Sequence, residues 1–204
     1  MKKLNFTFII ALMSAFTLFS CGGKKTNDSN VLKVGITIGP EQELAEVAKK
    51  VAKEKYNLDV ELVSFSEYIM PNEALNQGDI DVNVYQHKPF MDEQIKQRGY
   101  KLAIIGKTFV FPIVAYSKKI KSINELKDGS TIAIPNDPTN GGRSLLLLEK
   151  QTLIKLKPNV GLLPKVTDIV SNPKKLEIFE LEAPQLPRVL DDKKVVIAII
   201  NNNF

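Results

Sequence analysis

The chain has 204 residues, of which 44% are hydrophobic and 25% charged, and its formal net charge is +5. These values are ordinary for a soluble globular protein and allow one or two domains with a substantial core. The lysines are spread along the chain and form no basic block interleaved with aromatic residues, so we expect no nucleic-acid partner. The single Cys and single His exclude an intrachain disulfide and a cysteine zinc site.

Residues 1–21 have the pattern of a bacterial lipoprotein signal peptide. Two lysines precede an apolar stretch, residues 4–19, which is too short and too interrupted for a confident membrane span. A leucine three residues before Cys21 and a serine directly before it resemble the lipobox. We expect cleavage before Cys21, a diacylglycerol on its thiol, and a flexible polar tether over residues 22–30. The alternative is an ordinary signal peptide with an incidental cysteine.

The mature chain begins with an alternation of strand and helix patterns. Residues 31–38 are rich in β-branched side chains and predict a strand, and residues 41–56 predict an amphipathic helix. Apolar residues recur in this helix at spacings of three and four, which predicts one apolar stripe facing the core. The stripe consists of Leu44, Val47, Ala48, Val51 and Ala52. A second strand over 58–65 completes a β-α-β order, which indicates a parallel sheet.

The same alternation continues to the end of the chain. Further strands are predicted over 80–85, 102–105, 108–116, 131–135, 176–181 and 195–200. Further helices are predicted over 66–77, 89–98, 121–127, 144–151 and 185–191. The last strand is wholly apolar, as is typical of a strand covered on both faces. These elements predict an α/β fold whose ligand lies in a crevice at the carboxyl ends of the strands.

A crossover near residue 110 divides the predicted elements into two lobes. We assign residues 31–110 to a first α/β lobe and 111–204 to a second, with the ligand site in the cleft between them. A two-lobed chain ordinarily crosses back to finish its first lobe, but only four residues follow the strand 195–200. We therefore expect the second crossover and the C-terminal part of the fold to be missing; the alternative is a small complete variant.

The segment 133–144 joins a strand to a helix through a run of turn residues. Thr139 or Asn140 can cap this helix. Free backbone N–H groups at the helix start, made approachable by two glycines, can bind an anion, and Arg143 can grip a carboxylate through two hydrogen bonds. A plain strand–turn–helix junction with a surface arginine explains the spacing equally well. The segment lacks the Gly-Lys-Ser/Thr ending of a phosphate-binding P-loop.

A second strand-to-helix junction carries Tyr85, His87 and Phe90. With Tyr68, these residues can form an aromatic box for an apolar or thioether side chain, since a sulfur–aromatic contact is worth roughly 0.3–1.5 kcal/mol. The alternative is that the aromatic residues only fill a core. Asn201, at the carboxyl end of the last strand, can accept a hydrogen bond from a ligand ammonium.

An enzymatic function finds little support in the residues. An esterase would need Ser144 or another serine activated by His87, and no third partner is evident for Ser144 and His87. No metal-ligand spacing occurs, so we expect neither a metal nor another cofactor. We therefore expect a binding protein that catalyses nothing.

Several short motifs follow one another along the mature chain. They are VAKEKY at 51–56, LDV at 58–60, PNEAL at 71–75, GDID at 78–81, QHKPF at 86–90, YSKKI at 116–120, PNDPTN at 135–140, GR at 142–143 and LEAPQLPR at 181–188. In this order they resemble the methionine-binding lipoproteins of ABC importers, a family that includes the lipoproteins of the NlpA type. The likeness extends from about residue 32 to the end of the chain.

The resemblance implies a two-lobed fold of the periplasmic-binding-protein kind and a role for each candidate site residue. It implies that an aromatic clamp surrounds the ligand side chain. The clamp residues are Tyr68, Tyr85, His87 and Phe90. It further implies that Arg143 holds the α-carboxylate with Asn140 nearby, and that Asn201 contacts the ligand. Phe90 stands where many family members have tyrosine, and Phe204 stands where the family has the tyrosine of an Asn-Thr/Asn-Thr/Asn-Tyr stretch. Family members continue well past residue 204.

The resemblance also implies the partners. They are methionine or a close relative, the membrane through the lipid on Cys21, and an ABC permease with its ATPase subunit. The ligand remains open among L-methionine, D-methionine, methionine sulfoxide, a Gly-Met dipeptide and another amino acid. A surface lipoprotein that acts in adhesion or as an antigen, with a vestigial ligand site, is the alternative function.

Overall fold

The computed structural model describes residues 31–204. The predicted signal peptide, the lipidation of Cys21 and the tether over 22–30 lie outside the described residues. Within the described part, no helix combines the length and the apolar character that a membrane span requires.

A first sheet forms from the N-terminal elements, and a helix follows each of its strands. The elements are β1 (Val31–Thr37), α1 (Pro40–Tyr56), β2 (Asp59–Phe65), α2 (Met70–Gln77), β3 (Val82–Asn83) and α3 (Lys88–Arg98). The three strands are parallel and lie in the order β2-β1-β3. Their carboxyl ends therefore lie at one edge of the sheet, where the β1–α1 and β3–α3 connections also lie.

A second sheet forms from the remainder of the chain. Its elements are β4 (Ile113–Tyr116), β5 (Thr131–Pro135), α4 (Pro138–Lys150), β8 (Glu177–Leu181), α5 (Leu186–Val189) and β9 (Val195–Asn201); a separate ladder pairs β6 (Lys155–Leu156) with β7 (Ile169–Ser171). The strand order is β4-β9-β5-β8, with β4 antiparallel to β9 and the other pairs parallel. Single turns of 3-10 helix lie at Ile123–Glu125, Val166–Asp168 and Ala183–Gln185.

The largest hydrophobic core lies between the second sheet and α4. Ile132 and Ile134 of β5 and Ile197 and Ile199 of β9 pack there with Leu145 of α4. On the other face, Ala198 and Ile200 of β9 pack in a smaller cluster with Leu186 and other residues. The prediction that the last strand is covered on both faces is therefore confirmed.

The helix over 41–56 forms as predicted, but the predicted apolar stripe is not its packed face. Leu44 and Val47 are 48% and 62% exposed, and Val51 is also exposed. The least exposed side chains of the helix are instead Glu41, which is buried, and Ala45, Lys49 and Ala52, which are half-buried; of these only Ala52 belongs to the predicted stripe. The larger apolar side chains of α1 are therefore left exposed on the described unit.

The segment 101–112 passes from the first sheet to the second without joining either ladder. The predicted strand over 102–105 is therefore wrong, and the predicted strand over 108–116 is reduced to β4. Apolar sequence alone does not make a strand, since each strand needs a neighbour for its backbone hydrogen bonds. Phe109 and Phe111 of this segment contact each other edge-on, with ring centroids 5.2 Å apart.

Candidate functional site

A cleft that is open to solvent lies where the β1–α1 and β3–α3 connections of the first sheet face β9 and α4 of the second. All seven residues that the sequence analysis proposed as ligand contacts line this cleft. They are Tyr68, Tyr85, His87, Phe90, Asn140, Arg143 and Asn201. Residues separated by up to 133 positions in the chain thus meet in one place, and we propose this cleft as the ligand site.

The helix α4 begins at Pro138, six residues before the predicted start at Ser144. Its N-cap is Asp137, whose Oδ1 accepts hydrogen bonds from the backbone N–H groups of Thr139 (3.2 Å) and Asn140 (2.9 Å). The expectation that Thr139 or Asn140 caps the helix is therefore wrong. An aspartate before a proline is a favoured start because proline at the first helical position needs no hydrogen-bond acceptor.

The two glycines of this segment serve packing inside the helix. The backbone N–H of Gly141 donates to the carbonyl oxygen of Asp137 at 2.8 Å. A Cβ on Gly141 would lie 2.8 Å from the carbonyl oxygen of Pro135, and one on Gly142 would lie 2.7 Å from that of Leu162. The expected anion site of free N–H groups is therefore wrong, since the cap and the first helical turn already satisfy them.

Asn140 is the centre of a hydrogen-bond network and is 2% exposed. Its Oδ1 accepts from Arg143 Nη1 (3.0 Å), Asn201 Nδ2 (2.9 Å) and His87 Nε2 (3.1 Å). Its Nδ2 donates to Asp137 Oδ2 at 2.9 Å. Three donors on one side and a carboxylate on the other fix the orientation of the amide. Asn140 therefore fixes the positions of three candidate ligand contacts, Arg143, Asn201 and His87, relative to one another.

Arg143 presents a half-buried guanidinium to the cleft. Besides its bond to Asn140, Nη2 donates to the carbonyl oxygen of Phe111 at 3.1 Å. Among the described residues Arg143 forms no ion pair. Burial lowers the pKa of Arg143, but a guanidinium remains charged at neutral pH. With two of five N–H donors used within the protein, the group is suited to bind a carboxylate through two hydrogen bonds.

The aromatic residues form one wall of the cleft. The ring of Tyr68 lies 6.1 Å from that of Tyr85, 5.9 Å from that of Phe90 and 5.1 Å from that of Phe204, between centroids. Tyr85 Oη donates to the carbonyl oxygen of Tyr68 at 2.8 Å. Burial raises the pKa of both tyrosines, so both remain neutral phenols. The wall is therefore uncharged and presents ring faces and edges to a side chain in the cleft.

His87 joins the aromatic wall to the Asn140 network as a neutral imidazole. Its Nδ1 accepts from the backbone N–H of Phe90 at 3.1 Å and so caps α3, which leaves the proton on Nε2 to be donated to Asn140. Desolvation by burial lowers the pKa of His87 below its ordinary value of 6.5, and the charge of Arg143 acts in the same direction. Protonation of Nδ1 would remove the cap of α3.

The pKa of His87 has a testable consequence for stability. Because the folded state binds this proton less tightly than the unfolded state, the contribution of His87 to stability is lost as the pH falls below about 6.5. His87 is the only histidine of the chain. Its Cε1–H resonance in a proton NMR titration is therefore expected to give a midpoint below 6.5.

The matched variant is His87→Asn, because asparagine caps helices well and does not titrate. We expect the free energy of unfolding of the wild type, relative to this variant, to decrease between pH 7.5 and pH 5. A midpoint above 6.5, or a difference that does not change with pH, would contradict the neutral role.

The surroundings of Ser144 do not suit a catalytic nucleophile. It is fully buried, and its Oγ donates to the carbonyl oxygen of Asn140 at 2.9 Å. Both ring nitrogens of His87 are engaged by Asn140 and Phe90. A serine nucleophile needs an adjacent base and access to substrate, so the geometry gives the Ser144–His87 alternative no support.

Comparison with known proteins identifies the family. The model of the NlpA lipoprotein family matches residues 32–204. The chain belongs to the NlpA lipoprotein family. The D-methionine-binding lipoprotein MetQ of Salmonella typhimurium is 62% identical over 203 residues, an alignment that covers 100% of this chain and 74% of that relative.

Solved structures of similar proteins agree with the family assignment. The crystal structure of a methionine binding protein, MetQ, is 65% identical with a TM-score of 0.84, over 85% of this chain and 71% of that one. A nutrient binding protein from Burkholderia cenocepacia, solved bound to methionine, is 51% identical with a TM-score of 0.81, over 84% of this chain and 72% of that one. The NlpA-family chain thus has the predicted α/β fold of the two-lobed, periplasmic-binding-protein kind.

The structure adds cleft residues that the sequence analysis did not select. They are Glu41, Gln86, Asn203 and the segment 109–111. Asn203 Oδ1 accepts from Tyr68 Oη at 2.8 Å, which ties the end of the chain to the aromatic wall. A Cβ on Gly39, whose φ is 113°, would lie 2.6 Å from the carbonyl oxygen of Asn203. Only glycine permits both this backbone conformation and this close approach.

Proposed function

We propose that this NlpA-family protein is an extracytoplasmic solute-binding lipoprotein of an ABC importer that binds methionine or a close relative in the cleft. The observation that carries the proposal is that the guanidinium of Arg143, which has no ion-pair partner among the described residues, lines the same cleft as the neutral aromatic wall. A free amino acid with an apolar or thioether side chain has the two groups that these surfaces match, a carboxylate and a soft apolar tail. One relative that is named for D-methionine, and a nutrient binding protein that was solved bound to methionine, support the same ligand.

The proposal extends to the partners of the protein. A lipid on Cys21 anchors the protein to the membrane outside the cytoplasm. Ligand binding between the lobes favours a closed form, which docks on a membrane permease whose ATPase subunit drives uptake. The protein itself supplies binding and orientation and performs no bond chemistry.

The test is a thermal-shift and calorimetric screen of the purified chain. The ligands are L-methionine, D-methionine, methionine sulfoxide, Gly-Met, and alanine as an apolar control without the thioether. A ligand that binds only the folded state stabilises it by about 2.7 kcal/mol at 100 times its Kd. We expect a clear shift with one or more methionine compounds and a much smaller one with alanine. A cooperative unfolding transition that no amino acid shifts would contradict the proposal and favour a lipoprotein with a vestigial site.

A further inference from the structure

Glu41 is the one acidic side chain among the described residues that line the cleft. It lies at the start of α1, just after the carboxyl end of β1, and is 6% exposed. Its Oε2 is buried and has no hydrogen-bond partner within the described part of the chain. Buried carboxyl oxygens are normally satisfied, so this one is suited to receive a donor from outside the protein.

A second buried acceptor in the cleft is also without a donor. Asn201 uses its Nδ2 to bond to Asn140, and its Oδ1 has no partner among the described residues. The two unsatisfied oxygens, on Glu41 and Asn201, come from different sheets and line the same cleft. An ammonium group offers three donors and a positive charge, and therefore satisfies a carboxylate and an amide oxygen together.

The ionisable groups of the cleft, a guanidinium and a carboxyl group, are the partners that a zwitterionic ligand needs. Arg143 is a cation without an acidic partner in the described residues, and Glu41 is an acid without a basic one. In an α-amino acid the carboxylate and the ammonium are attached to the same carbon, so a site that binds one must accommodate the other nearby.

We propose that Glu41, together with Asn201 Oδ1, binds the α-ammonium of an amino-acid ligand whose carboxylate binds Arg143. This inference rests on the proposed function and makes its ligand class specific. The site selects free α-amino acids, and it discriminates against compounds in which the amine is absent or acylated. A methionine residue whose nitrogen is part of a peptide bond offers one uncharged N–H in place of the ammonium, and is therefore a weaker ligand.

The protonation of Glu41 couples to this binding. Desolvation by burial raises the pKa of Glu41 to about 8, although hydrogen bonds from Asn203 and the Thr37 backbone oppose the rise. The carboxyl group is therefore mostly protonated at pH 7 in the free protein. An ammonium beside it favours the ionised form, so ligand binding transfers the Glu41 proton to the buffer and leaves a carboxylate–ammonium pair.

The other titratable groups of the cleft keep their protonation states at pH 7. Burial raises the pKa of Tyr68 and Tyr85, so neither loses its proton. Burial lowers the pKa of His87, which is neutral, and Arg143 stays charged. Glu41 is therefore the cleft side chain whose proton is released on binding at this pH, and the Glu41→Gln variant below separates this release from loss of a proton by the ligand ammonium.

The first experiment measures this release in the unmodified protein. Isothermal titration of L-methionine at pH 7 in phosphate and in Tris, whose ionisation enthalpies differ, gives the number of protons released. We expect a net release of protons on binding, because burial raises the pKa of Glu41 to about 8 in the free protein and the bound ammonium lowers it. Methionine binding without proton release would overturn the assignment of Glu41 and leave the proposed function intact.

The second experiment pairs a variant with a ligand analogue. The analogue is 4-(methylthio)butanoate, which is methionine without its amine, and the variant is Glu41→Gln. We expect the variant to bind L-methionine about 10- to 100-fold more weakly than the wild type, and to release no proton. The analogue is expected to bind both proteins within about threefold, since it lacks the group that Glu41 contacts.

The matched control is Glu43→Gln, an exposed position on the same turn of α1, for which we expect wild-type affinity and proton release. If Glu41→Gln binds methionine like the wild type, or weakens both ligands equally, Glu41 is not the ammonium site. If the wild type binds no amino acid, the proposed function itself fails, and this inference fails with it.

Discussion

Replacing Arg143 by alanine is expected to weaken methionine binding by about 100-fold or more, which corresponds to about 2.7 kcal/mol. The guanidinium is half-buried, is held by Asn140 and by the Phe111 carbonyl, and has three further N–H donors. Two charge-assisted hydrogen bonds to a carboxylate in a desolvated cleft are each worth about 1.5–3 kcal/mol. Without them the ligand carboxylate loses its water and gains no protein donor in return.

The measurement is the Kd of L-methionine by isothermal titration calorimetry, with the free energy of unfolding as a check on folding. Arg143→Lys keeps the charge and loses the planar pair of donors, so we expect intermediate affinity. Arg98→Ala removes an exposed arginine at the end of α3 and is expected to bind like the wild type. A folded Arg143→Ala protein that binds within threefold of the wild type would show that the carboxylate lies elsewhere.

Much of the cleft could be predicted from the sequence because its residues lie at strand ends. In a parallel α/β sheet the carboxyl ends of strands share one edge, so residues just after a strand meet in space even when they are far apart in the chain. His87 follows β3 and Asn140 follows β5, and the structure places them in hydrogen-bond contact. The turn residues around these positions indicated both strand-to-helix junctions in the sequence.

The same rule applies to Glu41, which lies in the first turn of the helix after β1, but no signal in the sequence set it apart. A glutamate in the first turn of a helix is ordinary, since it interacts favourably with the helix dipole on the surface. Its burial arises because Gly39 allows the backbone of Asn203 to approach the β1–α1 turn. That contact joins residues 164 positions apart, and hydrophobic periodicity carries no information about it.

The face of α1 was mispredicted for a related reason. Spacing shows which residues share a side of a helix, but it does not show which side meets the sheet. The stripe of Leu44 and Val47 has the larger apolar side chains and is exposed, whereas Glu41 is buried and Ala45 is half-buried. In the same way, Pro138 pointed to the true start of α4, but the glycines at 141 and 142 suggested a loop.

Asn140→Leu is expected to lower the free energy of unfolding by about 3 kcal/mol, in addition to abolishing ligand binding. Leucine has the same number of side-chain heavy atoms, branched at the same carbon, but its side chain has no polar atom. The change leaves the Asn201 amide and the imidazole N–H of His87 without their acceptor, and Asp137 Oδ2 without a donor. Each buried polar group left unpaired costs about 1–3 kcal/mol, and partial rescue by water reduces the sum.

Denaturant unfolding of the wild type and the variant measures the loss, and Asn136→Ala, an exposed position in the same loop, is the control with little expected effect.

Asn140→Asp separates the two halves of the network. It keeps an acceptor oxygen for the donors on one side but places a second carboxylate against Asp137, so its stability is expected to recover as the pH falls and the two groups share a proton. Loss of less than about 0.5 kcal/mol in Asn140→Leu would mean that the network is not what holds Arg143 and His87 in place, because surface substitutions alone change stability by that amount.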